Sequence, residues 1–74
     1  MAIVPRRLSL VKFDPSRVPR GFRRKYPFRS GVTYIFVGEI PNMPNHCVIA
    51  NFQTGEIYSG YHTDHFVELR KDEI

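Results

Sequence analysis

Residues 31–69 read G-VTYIFVGEI-PNMPNH-CVIANF-QTG-EIYSGY-HTDH-FVEL, and this stretch decides the fold. Runs dominated by β-branched and aromatic side chains alternate with segments rich in Pro, Asn and Gly. The first kind of side chain favours strands, and the second kind of residue favours turns. The stretch therefore predicts an all-β fold, a small barrel of about five short strands. Its core strands are expected at residues 32–40, 47–52, 56–61 and 66–69.

Single residues within this stretch carry more detailed predictions. Phe36 is expected to be buried, because residues 32–40 are apolar on both faces, as is typical of a central or strongly bent strand. Gly38 interrupts that strand where a barrel needs a bulge or a sharp coil. Gly55 ends a tight hairpin turn and is expected to have a positive φ. Residues 62–65 are too short for an α-helix and predict a single 3₁₀ turn.

The order of these elements resembles that of the SH3-like small barrel over residues 31–70. The most telling segment is GYHTDHFVEL, residues 60–69, which is similar to the end of an SH3-type domain. There a strand runs into a 3₁₀ turn, and an aromatic–valine pair begins the last strand. The chain differs from peptide-binding SH3 domains because it has no tryptophan and no acidic loop before the second strand. The resemblance implies a binding domain for RNA, DNA or protein, and fold alone does not select among these ligands.

Charge is distributed unevenly along the chain. Residues 1–31 contain nine Lys and Arg against a single acid, a net charge of +8, whereas residues 32–74 carry −4. Such asymmetry is typical of a basic arm attached to a neutral or acidic module. We therefore expect a basic, Pro-containing N-terminal arm, residues 1–30, and a small barrel with a short charged tail, residues 31–74.

The arm shows little regular structure at the level of sequence. Residues 7–13 alternate weakly and predict an edge strand with charged ends. The prolines and the glycine that follow exclude a long helix, because proline lacks an amide donor and glycine disfavours helical backbone. Residues 14–30 are therefore expected to be extended and to carry the densest positive charge of the chain.

This charge pattern predicts a non-enzymatic binding module that contacts nucleic acid or a ribonucleoprotein through its arm. Arginine forks two donors toward a phosphate, and aromatic rings among the cations can stack on bases. The residues expected to bind nucleic acid are Arg6, Arg7, Arg17, Arg20, Phe22, Arg23, Arg24, Lys25, Tyr26 and Arg29.

An acidic protein partner is the alternative, with the chain acting as a small regulator or inhibitor. It would dock through barrel loops and an aromatic face, and the partner-binding residues would be Met43, Tyr58, Tyr61 and His62. The arm would otherwise serve as a solubilising tail, or would neutralise acids of its own or a neighbouring subunit. A domain this small gains stability from partner binding, so homo-oligomerisation also stays open.

Metal binding and catalysis find little support in the sequence. The candidate metal ligands are His46, Cys47, His62 and His65, but adjacent strand residues such as His46 and Cys47 point to opposite faces. Cys47 with a neighbouring histidine is the candidate nucleophile, but so short a chain shows no recognisable acyl-transfer pocket. We therefore expect no enzyme activity, no metal and no cofactor.

The expected compartment is the cytoplasm. A single cysteine leaves no intramolecular disulfide to form, which is typical of a reducing environment. No apolar run approaches the roughly 18 residues that span a bilayer, so no membrane association is expected. The N-terminal residues also lack the apolar core and cleavage site of a secretory signal.

Overall fold

The computed structural model describes residues 4–73, except for the side chains of Arg23, Arg24 and Glu73. This part of the chain forms five β-strands and four short 3₁₀ helices, without an α-helix. The strands are β1 (Ser9–Phe13), β2 (Thr33–Glu39), β3 (His46–Asn51), β4 (Ile57–His62) and β5 (Phe66–Glu68). The 3₁₀ helices are η1 (Pro15–Arg17), η2 (Arg20–Lys25), η3 (Thr63–His65) and η4 (Lys71–Glu73). The predicted all-β class and the 3₁₀ turn at η3 are confirmed. None of the described helices has the length and apolar character that crossing a membrane requires.

All five strands form one antiparallel sheet in the order β4-β3-β2-β1-β5. β1 pairs on one side with β2 and on the other with β5, so that Val11 lies opposite Tyr34 and Glu68. The prediction of an edge strand at residues 7–13 is therefore wrong, because β1 lies inside the sheet. Its second partner, β5, comes from the far end of the chain, and local alternation does not report such a pairing.

The sheet stays open between β4 and β5, since no backbone ladder joins these two strands in the described part of the chain. η3 occupies the seam instead and connects the two strands directly. The Thr63 N–H donates to the Asn45 carbonyl at 2.9 Å, and the Asp14 N–H donates to the His65 carbonyl at 2.9 Å. The predicted barrel is thus not closed by strand pairing, because 3₁₀ backbone at the seam cannot continue a β ladder.

The core is built from one face of the sheet together with apolar residues of the loops. Its members are Val11, Phe13, Val18, Phe28, Tyr34, Phe36, Cys47, Ile49 and Phe66. Phe36 is 1% exposed, as predicted. The register of β2 against β3 shifts between Phe36 and Gly38, which confirms the bulge expected at this glycine. Gly55 has a φ of 77°, as expected for the hairpin turn.

The long connection between β1 and β2, residues 14–32, wraps onto the sheet and is called the β1–β2 loop below. It contains η1 and η2, so the prediction that residues 14–30 are extended is wrong. Pro15 opens η1 while the Asp14 carboxylate accepts from the Ser16 N–H, so a proline here starts a turn instead of preventing one. The Cα radius of gyration, 11.5 Å, is close to the about 11 Å expected for a compact chain of this length.

Candidate functional site

The β1–β2 loop is fixed to the sheet by its apolar residues. Val18 and Phe28 are 2% and 5% exposed. The Phe28 ring centroid lies 4.7 Å from that of Tyr61 and 4.9 Å from those of Tyr58 and Phe66. These contacts hold both halves of the loop against the core, so its charged residues are displayed from an anchored backbone.

Two of the predicted phosphate-binding arginines form ion pairs with acids of the C-terminal half. Arg6 Nη2 lies 2.6 Å from Glu68 Oε1, and the hydrogen bonds from Arg6 lower the pKa of the Glu68 carboxyl. Arg17 lies 3.4 Å from Asp14 and 3.5 Å from Asp64. The Arg6 side chain is 84% exposed, and exposed pairs of this kind contribute little to stability. Part of the basic charge therefore neutralises the protein's own acids.

The remaining described cations of this set are exposed and have no carboxylate at ion-pair distance within the described residues. These cations are Arg7, Arg20, Lys25 and Arg29. The Lys25 Nζ lies 5.8 Å from the ring centroid of Phe22, a residue that is 54% exposed, so this pair presents a cation next to an exposed aromatic residue. The predicted roles of the Arg23 and Arg24 side chains lie outside the described part of the structure. Arg20, Lys25 and Arg29 therefore form a set of uncompensated charges on one anchored loop.

Six aromatic rings follow one another across β4, the β1–β2 loop, η3 and the start of β3, and we call them the ring row. In order they are Tyr58, Tyr61, Tyr26, His65, His62 and His46. Consecutive centroids lie 6.5, 5.3, 5.4, 5.3 and 5.6 Å apart. All of these side chains are half-buried except His65, which is buried at 8% exposure.

The ring row unites residues that the sequence assigned to different roles. Tyr26 was expected to bind nucleic acid, whereas Tyr58, Tyr61 and His62 were expected to bind a protein partner. His46 and His65 are candidates only for metal binding, a role that His62 shares with them. The sequence contains no spacing that links Tyr26 to these rings, because strand pairing and the loop fold bring them together.

Hydrogen bonds orient the histidine end of the row. The Asp64 N–H donates to His62 Nδ1 at 3.1 Å, so a neutral His62 carries its proton on Nε2. His46 Nδ1 lies 2.8 Å from the Pro44 carbonyl and donates its proton there. The Tyr26 hydroxyl lies 3.1 Å from His65 Nδ1. Burial and the neighbouring His62 lower the pKa of His65, which is therefore mostly neutral at pH 7.

The candidate nucleophile and metal ligands show no reactive arrangement in the described residues. Cys47 is buried, its thiol donates to the Tyr61 carbonyl at 3.3 Å, and burial raises its pKa to about 12. The protonated thiol is a poor nucleophile at neutral pH. Within residues 4–73, no three His, Cys, Asp or Glu side chains converge in a way that could hold a metal ion.

Two further surface regions offer fewer groups that could bind a ligand. Met43, expected to contact a partner, is 42% exposed in the loop between β2 and β3. An open cleft of about 240 Å³ beside β5 is lined by Pro5, Arg17, Phe66, Val67 and Glu68. Both charged residues of this cleft, Arg17 and Glu68, are engaged in the ion pairs described above. The cleft therefore offers no free charged group to a ligand.

Comparisons with protein-family models, with curated proteins and with solved structures found no match to this chain. Function is therefore inferred from the geometry of the β1–β2 loop and the ring row.

Proposed function

We propose that the protein is a non-enzymatic module that binds nucleic acid, free or within a ribonucleoprotein, through the β1–β2 loop. The observation that carries this proposal is the set Arg20, Lys25 and Arg29, exposed cations on a loop whose apolar residues are anchored in the core. Cations that neutralise phosphates release condensed counterions, which supplies affinity for any sequence. A loop that is already ordered loses less conformational entropy on binding than a free tail does.

The fold is compatible with this proposal but does not identify the ligand. Five short strands with a 3₁₀ helix between the last two follow the element order of the SH3-like barrel, and we extend the proposal to that class. Nucleic-acid binding is one of several roles that domains of this class perform, so the charged loop, and not the fold, selects the ligand.

Salt-dependent titration of labelled single- and double-stranded oligonucleotides tests the proposal. Log affinity is expected to fall linearly with log salt, with a slope of about −0.7 to −0.9 per phosphate contact. The double variant Lys25→Glu/Arg29→Glu should lose at least about tenfold in affinity and flatten the slope by about 1.4 to 1.8, because two contacts are removed.

A matched control separates the loop from net charge alone. Arg70→Glu/Lys71→Glu exchanges the same residue types for the same charge change, outside the loop. The control should retain most of the affinity and the wild-type slope. Equal losses in the two variants would assign binding to net charge, and absence of binding at low salt to either oligonucleotide would refute the proposal.

An acidic protein partner is the second candidate. It is favoured by the ion pairs that Arg6, ahead of β1, and Arg17, in the β1–β2 loop, form with carboxylates, because both cations already accept acidic side chains. Such a complex would survive nuclease and would be weakened by Met43→Ala, since Met43 is an exposed, adaptable apolar side chain. A nuclease-resistant complex that Met43→Ala weakens, formed by a protein that binds neither oligonucleotide at low salt, would replace the nucleic-acid proposal.

A further inference from the structure

We propose that the ring row is a base-binding surface, which makes unstacked, single-stranded nucleic acid the ligand of this module. The inference rests on the proposed function, because it assigns the bases to the ring row and the phosphates to the β1–β2 loop. It also reassigns Tyr58, Tyr61 and His62, which the sequence placed in a protein interface.

The spacing of the rings does not match the spacing of stacked bases. Consecutive centroids of the ring row lie 5.3 to 6.5 Å apart. Stacked bases follow one another at about 3.4 Å along each strand, so successive rings cannot meet successive bases of a duplex. A strand whose bases are unstacked can extend to the wider spacing and place bases on separate rings.

The tyrosine end of the row forms a rigid platform. Tyr26 packs on Phe13 with centroids 5.9 Å apart, and Tyr58 and Tyr61 pack on Phe28. Each of the three tyrosines nevertheless remains partly exposed. Rings held from behind by the core lose little side-chain entropy when a base covers them.

The tyrosines of the row do not form stacked pairs with one another. Tyr58 and Tyr61 meet at 79° and Tyr26 and Tyr61 at 65°, so an edge of one ring meets a face of the other. Neighbouring rings in this arrangement do not stack face to face on each other. A base can therefore stack on the exposed part of Tyr58 or Tyr61 without displacing a stacked pair within the row.

The cations lie next to this platform along the chain. Lys25 directly precedes Tyr26, and Arg29 directly follows Phe28, the ring on which Tyr58 and Tyr61 pack. The Arg29 N–H also donates to the Tyr34 hydroxyl at 3.0 Å, which fixes the backbone at this cation. Phosphates bound at the loop would thus place their bases beside the tyrosines. The cations Lys25 and Arg29 beside Tyr26 and Phe28 make a nucleic-acid strand the occupant that we assign to this surface, although Glu56 accepts from the Tyr58 hydroxyl at its far end.

Two probes with equal numbers of phosphates test the inference. One is an oligothymidylate of about twelve nucleotides, within the range of sites on single-strand-binding folds, and the other is an abasic strand of the same length. Wild-type protein should bind the thymidylate at least about tenfold more tightly, since each stacked base contributes about 1–3 kcal/mol. Because the chain has no tryptophan, emission of its four tyrosines reports the contact directly and should be quenched only by the thymidylate.

Substitutions in the row should change base preference without changing phosphate binding. Tyr61→Leu and, separately, Tyr58→Leu should each reduce the thymidylate preference about tenfold and leave abasic binding and the salt slope unchanged. Tyr61→Phe keeps the ring and should keep the preference. Phe52→Leu is the matched control, because Phe52 is 57% exposed but lies outside the row.

The outcomes separate the two proposals. Equal affinity for both probes, with the salt slope still dependent on Lys25 and Arg29, would overturn the ring-row inference and leave the proposed function intact. Tighter binding to a duplex than to the thymidylate would also overturn the ring-row inference alone. The same holds if Phe52→Leu reduces the preference for thymidylate over the abasic strand as much as Tyr61→Leu does. Binding to neither probe at low salt would remove the proposed function itself.

Discussion

At the scale of single residues, Gly55 sets the hairpin between β3 and β4. Its φ of 77° lies in the left-handed region, and its N–H donates to the Asn51 carbonyl at 2.8 Å. The Asn51 side chain accepts from the N–H groups of Gln53 and Thr54, which completes the turn. A Cβ added at Gly55 would meet nothing within 4 Å, so only backbone strain opposes a side chain there.

Gly55→Ala is therefore expected to lower the free energy of unfolding by about 1–2 kcal/mol, the cost of left-handed backbone for a residue with a Cβ. Gly21→Ala is the matched control, because a Cβ at Gly21 also meets open space and its φ is not positive. The control should change stability by much less. Urea denaturation measures both, and equal effects would contradict the argument from strain.

His65 is the residue that links the ring row to pH. His65 is buried beside Tyr26, His62 and Asp64. Burial and the nearby His62 lower the pKa of His65, whereas the Asp64 carboxylate acts to raise it. The unfolded chain protonates this imidazole near its ordinary pKa of 6.5, whereas the folded chain protonates it only at lower pH. Stability from this group is thus fully present above pH 6.5 and is lost as the pH falls toward the folded pKa.

We expect the urea midpoint to decrease between about pH 7.5 and about pH 5.5. His65→Asn keeps a hydrogen-bonding group near the Tyr26 hydroxyl and should flatten this dependence, even where it lowers stability overall. Asp14 and Glu68 also have lowered pKa values, but they titrate below this range, from 3.8 and 4.5 downward. A wild-type midpoint that does not change across the range would contradict the assignment.

At the scale of elements, the β1–β2 loop combines an anchored apolar side with a charged exposed side. Phe28 is almost fully buried, and its ring centroid lies within 5.6 Å of the ring centroids of Phe13, Tyr34 and Phe66. Phe22, on η2 of the same loop, is 54% exposed. Two identical side chains on one element therefore have opposite roles, one in the core and one on the surface.

Phe28→Ala is expected to destabilise the fold by about 3–5 kcal/mol, because it removes a buried ring and leaves a cavity. Phe22→Ala should change stability by no more than about 0.5 kcal/mol, as is usual for an exposed position. Thermal and urea unfolding of the two variants measure the difference. Similar destabilisation by both would show that the loop packs in another way.

At the scale of the whole molecule, β1 unites the two ends of the chain. It is the only described strand that pairs with β5, and it also pairs with β2. Val11 and Phe13 of this strand belong to the core, together with Val18 of the following loop. The predicted boundary between arm and barrel, at residue 30, therefore separates β1 from the strands to which it is hydrogen-bonded.

A chain of residues 31–74 is consequently expected not to fold, because β5 lacks its partner and the core lacks several buried side chains. Circular dichroism and amide hydrogen exchange should show an unfolded spectrum and fast exchange. A chain that ends at Arg70 removes η4 and should remain folded, which controls for shortening as such. Cooperative unfolding of the 31–74 fragment would make β1 dispensable.

The sequence by itself determined the features that depend on neighbouring residues. It predicted the strands within residues 31–69 to within a residue or two, the bulge at Gly38, the left-handed Gly55 and the 3₁₀ helix η3. Each of these follows from alternation of side chains or from the backbone preference of one residue, and both act over short stretches of chain.

Only the tertiary structure decided the features that join distant residues. It placed β1 between β2 and β5, buried Phe28 of the supposed arm, and brought Tyr26 within 5.3 Å of the Tyr61 ring. These contacts depend on which strands pair and on how a long loop packs across them. Several local sequence patterns are compatible with more than one such arrangement, and burial of the shared core selects among them.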